Sequence, residues 1–378
     1  MRRFFSSAVK YIRQSDMLLL ALCVLSSVYG LVLIRSVTLN DSGSELAVQT
    51  GAIILGIICF VLFSLIDVDI LADKPKTLIV ISLLFIAMLV PWGVKGDTGN
   101  KAWLRFAGIG IQPAEVVKIP FTIILASYIS EFKSKRTLDS PLSIIRLVVI
   151  FGIFFALIIV VSADLGSALV YFFILVVVMF VAGIKLRWFL LGAGLIAAIT
   201  PLMWQRFLSD NQKLRILAPF DPTIDPSALE VKWQTTLSRQ AISSGGFTGQ
   251  GLFNGSMTQA GRVTQQKTDF IFSAAGEELG FVGCFAIVLL LVLIIIRCIY
   301  VGIKSNSSLG LLVCTGIASM LIFQTFENIG MCLGLTPVIG LTLPFFSYGG
   351  SSIVTSFIAM GVIAGIKMRP KPLRFRNN

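Results

Sequence analysis

The chain is 378 residues long, 56% hydrophobic and only 13% charged, with a net charge of +12. A soluble domain carries about 25% charged residues, so this composition excludes a soluble globular protein. The 29 Phe and an aperiodic set of 33 Gly exclude disorder and collagen. What remains is an all-α, polytopic membrane protein.

A bilayer-spanning helix needs about 20 mostly apolar residues. The stretches 17–35, 46–66, 77–94, 145–163, 167–184, 270–296, 308–330 and 344–366 meet that test clearly. Two weaker ones are 114–130, with Glu115 and Lys118, and 188–204, with Pro201. Residues 144–184 make twice a span, interrupted once by Ala163-Asp164-Leu165-Gly166, where a hairpin turn is expected. The reading is ten transmembrane helices in a single membrane domain, 1–378. Segments 1–16 and 367–378 are its tails and 205–268 is its one long loop. The basic first 15 residues have no cleavage-site pattern behind a short apolar core, so no removable signal peptide is expected.

Placing both termini in the cytoplasm puts 19 of the 31 basic residues on that side, as the positive-inside rule demands. The net positive charge is then a topology signal and implies no nucleic acid. The loop 205–268 faces outward. It is Pro-rich at 219–226 and Gly-rich at 244–255, and its Trp233 and Phe253 suggest order as an amphipathic helix on the membrane surface. Pro344 is expected to start the last helix, with Ser347, Gly349, Gly350, Ser351 and Ser352 allowing close approach or substrate contact.

Ionisable groups at membrane depth are costly and mark function by default. Here they are Glu115, Lys118, Asp164, Asp269, Glu277, Glu278 and Glu327. Each also has a plain structural alternative. Glu115 and Lys118, spaced i,i+3, would neutralise each other. Glu277 and Glu278, expected deeper than the others, would serve helix packing. Asp269, at the start of the 270–296 helix, would be its N-cap. The six cysteines lie in or beside apolar runs with no CxxC spacing, and there is no His. Disulfides, His triads and most transition-metal sites are therefore not expected.

The segment Thr268-Asp269-Phe270-Ile271-Phe272-Ser273, followed by Gly276-Glu277-Glu278-Leu279-Gly280, resembles the hallmark of the SEDS family (shape, elongation, division and sporulation). Other blocks agree in order: Gln112-Pro113-Ala114-Glu115 with Lys118; Ala163-Asp164-Leu165-Gly166-Ser167; Ser244-Gly245-Gly246 with Gly249 and Gly251; and Leu343 to Ser352, preceded by Asn328, Gly334, Pro337 and Gly340. The chain departs from the family at Thr264-Gln265, where Pro-Glu is usual, and around Trp103, which follows Lys101-Ala102 where a basic residue commonly precedes Trp directly. It also has Ala114 in place of Ser and Ala163 in place of Pro.

The resemblance implies a peptidoglycan glycosyltransferase of the bacterial cell membrane, with an outward-facing active site. It would polymerise lipid II into a nascent glycan strand beside a class B penicillin-binding protein, in elongation, division or sporulation. Asp269 matches the family's essential aspartate, and Glu115, Lys118 and Asp164 match its central cavity. Inverting transfer from a lipid diphosphate needs a base for the acceptor hydroxyl and positive charge for the leaving group. Asp269 suits the base. Lys118, Arg215, Arg239, Arg262 and Lys267 are the candidate cations, and Ser351 is a candidate contact. A divalent cation, Mg or Mn, shared between Asp164 and the diphosphate is compatible with this chemistry. Two rival readings are a flippase for the lipid-linked precursor and a non-catalytic scaffold.

Overall fold

The computed structural model describes residues 11, 14–39, 43–94, 101–106, 109–206, 210–221, 223–225, 232–305 and 307–369. Within them ten helical spans are long and apolar enough to cross a bilayer, one for each stretch expected. The helices are α1 (Met17–Val37), α2 (Ser44–Leu65), the short α3 (Val68–Ala72), and α4 (Pro75–Ala87) continued by α5 (Leu89–Trp92). Next come α6 (Pro113–Val116) continued by α7 (Lys118–Ser134), α8 (Pro141–Ser162), α9 (Leu165–Ala182) and α10 (Leu186–Arg206). The long loop holds α11 (Asp210–Leu217), α12 (Trp233–Gly245) and α13 (Ser256–Gln259), before α14 (Ile271–Lys304), α15 (Ser308–Leu333) and α16 (Gly350–Met368). A small antiparallel hairpin, β1 (Leu104–Phe106) on β2 (Ile109–Ile111), precedes α6. The apolar pattern gave no sign of it.

Lys367 of α16 lies 3.4 Å from Asp16, which caps α1 and pairs with Arg297 of α14 at 2.8 Å. Both ends of the bundle therefore share one face, the termini face. The connection after α10 lies on the opposite, loop face. The span α6–α7 is the least apolar and the most enclosed of the ten. A helix surrounded by protein has no lipid to satisfy, so it tolerates polar residues that a peripheral span cannot. That is why its signal was weak.

The hairpin turn falls where expected. Ala163, in the left-handed region at φ 51°, ends α8, and the Asp164 carboxylate accepts the Ser167 N–H to open α9. Proline cannot adopt that φ, so Ala163 is a substitution with a backbone consequence.

The expected helix 270–296 is instead two helices. Gly280, at φ 63° and ψ −160°, breaks α14, and a half-helix, 271–279, doubles back beside the long segment. The Cys284 thiol reaches the Phe272 carbonyl at 3.9 Å, twelve residues away. The break frees backbone groups that must find partners, and the Gly-rich loop supplies them. Gln250 N donates to Glu277 O and Gly251 N to Glu278 O, each at 2.9 Å; Phe281 N and Val282 N donate to Gly246 O and Phe247 O at 3.0 and 3.2 Å. Residues 281–304 alone rise about 36 Å, enough to cross the hydrocarbon.

This doubling back inverts the expected order of depth. Glu278 is held by Ser36 near the outer end of α1. Thr268 is held by Ser347, whose neighbour Phe346 packs on Tyr29 and on Gly30, about 9 Å further down the same helix at 1.5 Å per residue. Asp269 is therefore the deeper acid and the Glu277-Glu278 pair the shallower.

Two smaller expectations also change. Pro344 does not start the last helix: residues 344–349 form a turn, with Phe345 at φ 67°, and α16 begins at Gly350. In the described part of the long loop, α12 buries Leu237, Ser238, Ala241 and Gly245 against the bundle instead of lying free on a membrane surface. Trp233 and Phe253 remain partly exposed.

Candidate active site

The approach to Asp269 is a tight turn. Gln265, at φ 54°, presents a carbonyl that accepts the N–H groups of Thr268, Asp269 and Phe270 at 3.0–3.2 Å. Of these, the Phe270 N–H belongs to the start of α14, where it is satisfied by a backbone carbonyl. Phe270 is the N-cap of α14 and no side chain caps it. The Asp269 carboxylate is therefore not a cap. It is in no ion pair among the described residues, and its Oδ2 lies 3.5 Å from where a side-chain carbon on Gly340 would stand.

Burial pushes the Asp269 pKa up from the usual 3.8 to about 6, with the Thr268 hydroxyl pulling the other way and the Asp164 charge adding to the rise. A carboxyl poised there is a competent base at neutral pH.

The backbone around Asp269 is gripped from three sides. Tyr348 N donates to Lys267 O at 2.8 Å, Ser347 Oγ to Thr268 O at 2.5 Å, and Asn328 Nδ2 to Asp269 O at 2.8 Å. Three successive carbonyls are thus each captured by a different donor.

Across the 337–343 segment stands Asp164. Gly166, two residues on, meets the Ile339 carbonyl so closely that a Cβ would sit 2.7 Å from it. Asp164 Oδ1 accepts Ser167 N at 2.9 Å, while Oδ2 accepts Ser167 Oγ and Gln112 Nε2 at 2.8 Å each. Gln112 in turn donates its backbone N–H to Ser351 Oγ at 3.2 Å. The structure thus brings Asp164 and Ser351 together through Gln112, and places Asp164 near enough to Asp269 for their charges to interact.

Lys118 is fully buried and pairs with Glu115 at 2.5 Å. Nearby, Tyr171 on α9 donates to the Ala114 carbonyl at 2.8 Å, tying α6 to α9. Lys267 is bound by Glu45 of α2 at 3.0 Å and lies over the Tyr348 ring. Arg215 on α11 and Arg262 are exposed, as is Arg239, which lies against Gly334 at the outer end of α15. Of the candidate cations, then, the two nearest the site already have carboxylate partners, and the three arginines face out.

Glu277 and Glu278 are fully buried staples. Glu277 accepts from Met257 N, Thr258 N, Thr258 Oγ1 and Ser256 Oγ at 2.6–3.2 Å. Glu278 accepts from Ser36 Oγ, Gln259 Nε2 and Gly255 N. Together they close the neck of the 258–277 loop whose inner tip is Asp269. Gln112, Asn328 and Glu45 are the working residues that spacing alone did not single out. Their signal was an amide in a short polar block, an amide within an apolar span, and an acid at a helix start.

Among the described residues the protein alone does not assemble a complete ligand set for a divalent ion. Both Asp164 oxygens are engaged, and no three metal-ligating side chains converge among the described residues. No step of the chemistry below is routed through one.

Ten spanning helices among the described residues, enclosing a deep carboxylate that is in no ion pair among those residues and a second acid across the 337–343 segment, fit the class of integral membrane enzymes. Within that class the chain belongs to the FtsW/RodA/SpoVE family of cell cycle proteins, whose model matches residues 14–371. It is 30% identical to the peptidoglycan glycosyltransferase MrdB of Escherichia coli K12 over 359 residues, 94% of each chain. It is 29% identical to a probable peptidoglycan glycosyltransferase FtsW of Geobacter sp. M18, covering 94% of this chain and 97% of that one. Among solved structures it resembles a chain of a peptidoglycan synthase complex (TM-score 0.80, 28% identity, 93% of this chain and 97% of that chain). It also resembles the rod shape determining protein RodA of Thermus thermophilus (TM-score 0.68, 26% identity, 93% and 96% covered).

Proposed function

We propose that this chain is a peptidoglycan glycosyltransferase that polymerises lipid II, with Asp269 as the general base. One observation carries the reading: Asp269 is a deep carboxylate, in no ion pair among the described residues, with its pKa raised by burial to about 6, held on a gripped backbone at the loop face. The termini face, rich in Lys and Arg, is the cytoplasmic one, so the site opens to the outside of a bacterial cell membrane. There a lipid-linked sugar would present its headgroup at Asp269 while its tail stayed in the bilayer.

In the reaction, the acceptor hydroxyl of one saccharide attacks the anomeric carbon of another. Asp269 takes the hydroxyl proton as the new bond forms, and the lipid diphosphate leaves with the bonding electrons. The diphosphate is a weak base and leaves without needing a proton, so a second acid is not required. Its growing charge needs fixed positive charge nearby. Lys118 has three donors, and among the described residues Glu115 takes one of them; Lys267 would serve by leaving Glu45. Asp164, fixed by Gln112 and Ser167, holds the opposite wall and keeps the Asp269 proton affinity high. A class B penicillin-binding protein would cross-link the product strand.

The test is polymerisation of lipid II by purified wild type and Asp269→Asn, together with the transpeptidase. The variant is expected to stay folded and make no glycan. Polymer at the wild-type rate from Asp269→Asn would sink the assignment of the base, whereas a wild type that makes no polymer at all would favour the scaffold reading. A flippase instead predicts headgroup transfer across liposomes that is lost on changing Asp164 or Lys118 while polymerisation persists.

A further inference from the structure

We propose that Asn328 and Ser347 are positioning residues for the reaction: by gripping the carbonyls of Asp269 and Thr268 they hold the base against its acceptor. The proposal rests on the reading of Asp269 as the base. It goes further in saying what aims that base.

Asn328 is fully buried in α15. Its amide nitrogen has two hydrogens, and each is used: one bonds Asp269 O at 2.8 Å and the other Leu341 O at 2.7 Å. A single side chain thereby joins the base to the 337–343 segment, the segment that also carries Gly340 against Asp269 Oδ2. The orientation of the amide is fixed by this chemistry, because a flipped group would turn its oxygen toward two carbonyl oxygens.

Asn328 Oδ1, on the other side, is buried without a partner among the described residues. Leaving a buried carbonyl unpaired is unfavourable, so folding alone gives a weak reason for an amide here. Joining two backbones that must be held at a fixed separation gives a strong one.

Ser347 completes the grip. Its hydroxyl accepts Leu343 N at 2.8 Å and donates its one proton to Thr268 O at 2.5 Å. The hydroxyl thus fixes the turn at 343–347 and the residue before the base with the same oxygen. With Asn328 on one side and Ser347 on the other, neither peptide flanking Thr268 and Asp269 can rotate without breaking a buried bond. Small misplacements of a reacting group are expensive: about 1 Å can cost a hundredfold in rate.

The experiment uses the full-length protein with lipid II, measuring kcat, KM and the pH dependence of polymerisation for wild type, Asn328→Leu, Ser347→Ala and Ser347→Thr. In wild type the rate rises with pH along a limb set by the base. Loosening the grip lets Asp269 turn toward water, so Asn328→Leu and Ser347→Ala are expected to lose about tenfold to a hundredfold in kcat. KM should stay within about twofold, and the limb should move to lower pH, toward an ordinary carboxylate. Ser347→Thr, which keeps the hydroxyl, is expected to recover the limb.

A merely structural role would reduce the amount of active protein and scale the rate equally at every pH. An unmoved limb in both grip variants, at whatever rate, overturns the proposal. Should Asn328→Leu not accumulate, Ser347→Ala, which removes one donor and no bulk, decides the matter by the same limb. Activity in Asp269→Asn would be a separate failure, that of the base assignment itself.

Discussion

The sharpest prediction concerns the free energy stored at Asp269. Replacing it with asparagine keeps the shape and removes the charge. The carboxyl pKa stands at about 6 in the folded protein against 3.8 in the open chain, and burial is the main cause. The folded state therefore holds this proton more tightly than the unfolded state. The associated stability is fully present below pH 3.8, falls as the pH rises to about 6, and is absent above. A carboxyl raised from 3.8 to about 6 corresponds to about 3 kcal/mol. At pH 7 Asp269→Asn should thus be more stable than wild type by up to about 3 kcal/mol, and near pH 4 the two should melt together. The assay is thermal unfolding of both proteins in the same detergent at pH 4.5, 6 and 7.5, followed by polymerisation. The expected result is a variant that melts several degrees higher at pH 7.5, with the gap closing as the pH falls, and that makes no glycan. Equal melting at all three pH values, or a variant less stable at pH 7.5, would refute the argument that burial tunes this carboxyl.

The wild-type rate should rise about tenfold per pH unit below 6 and level off above it, because only the ionised carboxylate is a base; a flat profile from pH 5 to 8 would contradict this. Lys118→Met should cost about 3–5 kcal/mol by stranding the Glu115 charge, while Lys118→Met with Glu115→Gln should recover most of the stability. If Lys118 also meets the diphosphate, the folded double variant will remain slow, which a glycan-product assay would reveal. Gly249→Ala, whose Cβ would lie 2.1 Å from Glu278 O at φ +81°, should release the Gly-rich loop to protease. Gly261→Ala, at φ +61° with nothing within 4 Å, should not. Ala163→Pro should lower the melting point sharply: φ 51° is closed to proline and the N–H to Ile159 O is lost. Ala163→Gly should instead stabilise the protein by about 1 kcal/mol, since φ 51° suits glycine.

What the sequence made legible follows from the solvent. Lipid tolerates few charges, so eight spans declared themselves clearly by composition, while α10, with its Pro201, and the enclosed α7 did so faintly. The turn at Ala163-Asp164 was equally visible, because a charged N-cap cannot lie mid-span. The break at Gly280 was not. Glycine is common in membrane helices, and Gly276-Glu277-Glu278-Leu279-Gly280 carries no signal that separates a packed helix from a reversal. The depth of the acids was misjudged for the same reason, since residue number stops measuring depth once a helix doubles back. The grip on the Asp269 backbone leaves the faintest trace of all. Its acceptors are carbonyls, which every residue has, and only Asn328 and Ser347 mark the sequence.

The case for Asp269 grows stronger when the other acids on the loop face are followed to their partners. Glu277 has four donors and Glu278 three donor residues; Asp164 caps a helix and holds Gln112. Glu115 has Lys118, and Glu45 has Lys267. Each carboxylate is committed to holding two elements together, and moving it toward a substrate would break that tie. Glu327 does keep one oxygen without a partner among the described residues, but at 5% exposure it is closed off within α15. Asp269 differs from all of these. Its backbone is fixed by three bonds while its carboxylate makes no ion pair among the described residues and remains partly open. A group fixed at the main chain and free at the side chain can accept a proton without the fold having to move. That division separates a residue positioned for chemistry from one spent on structure.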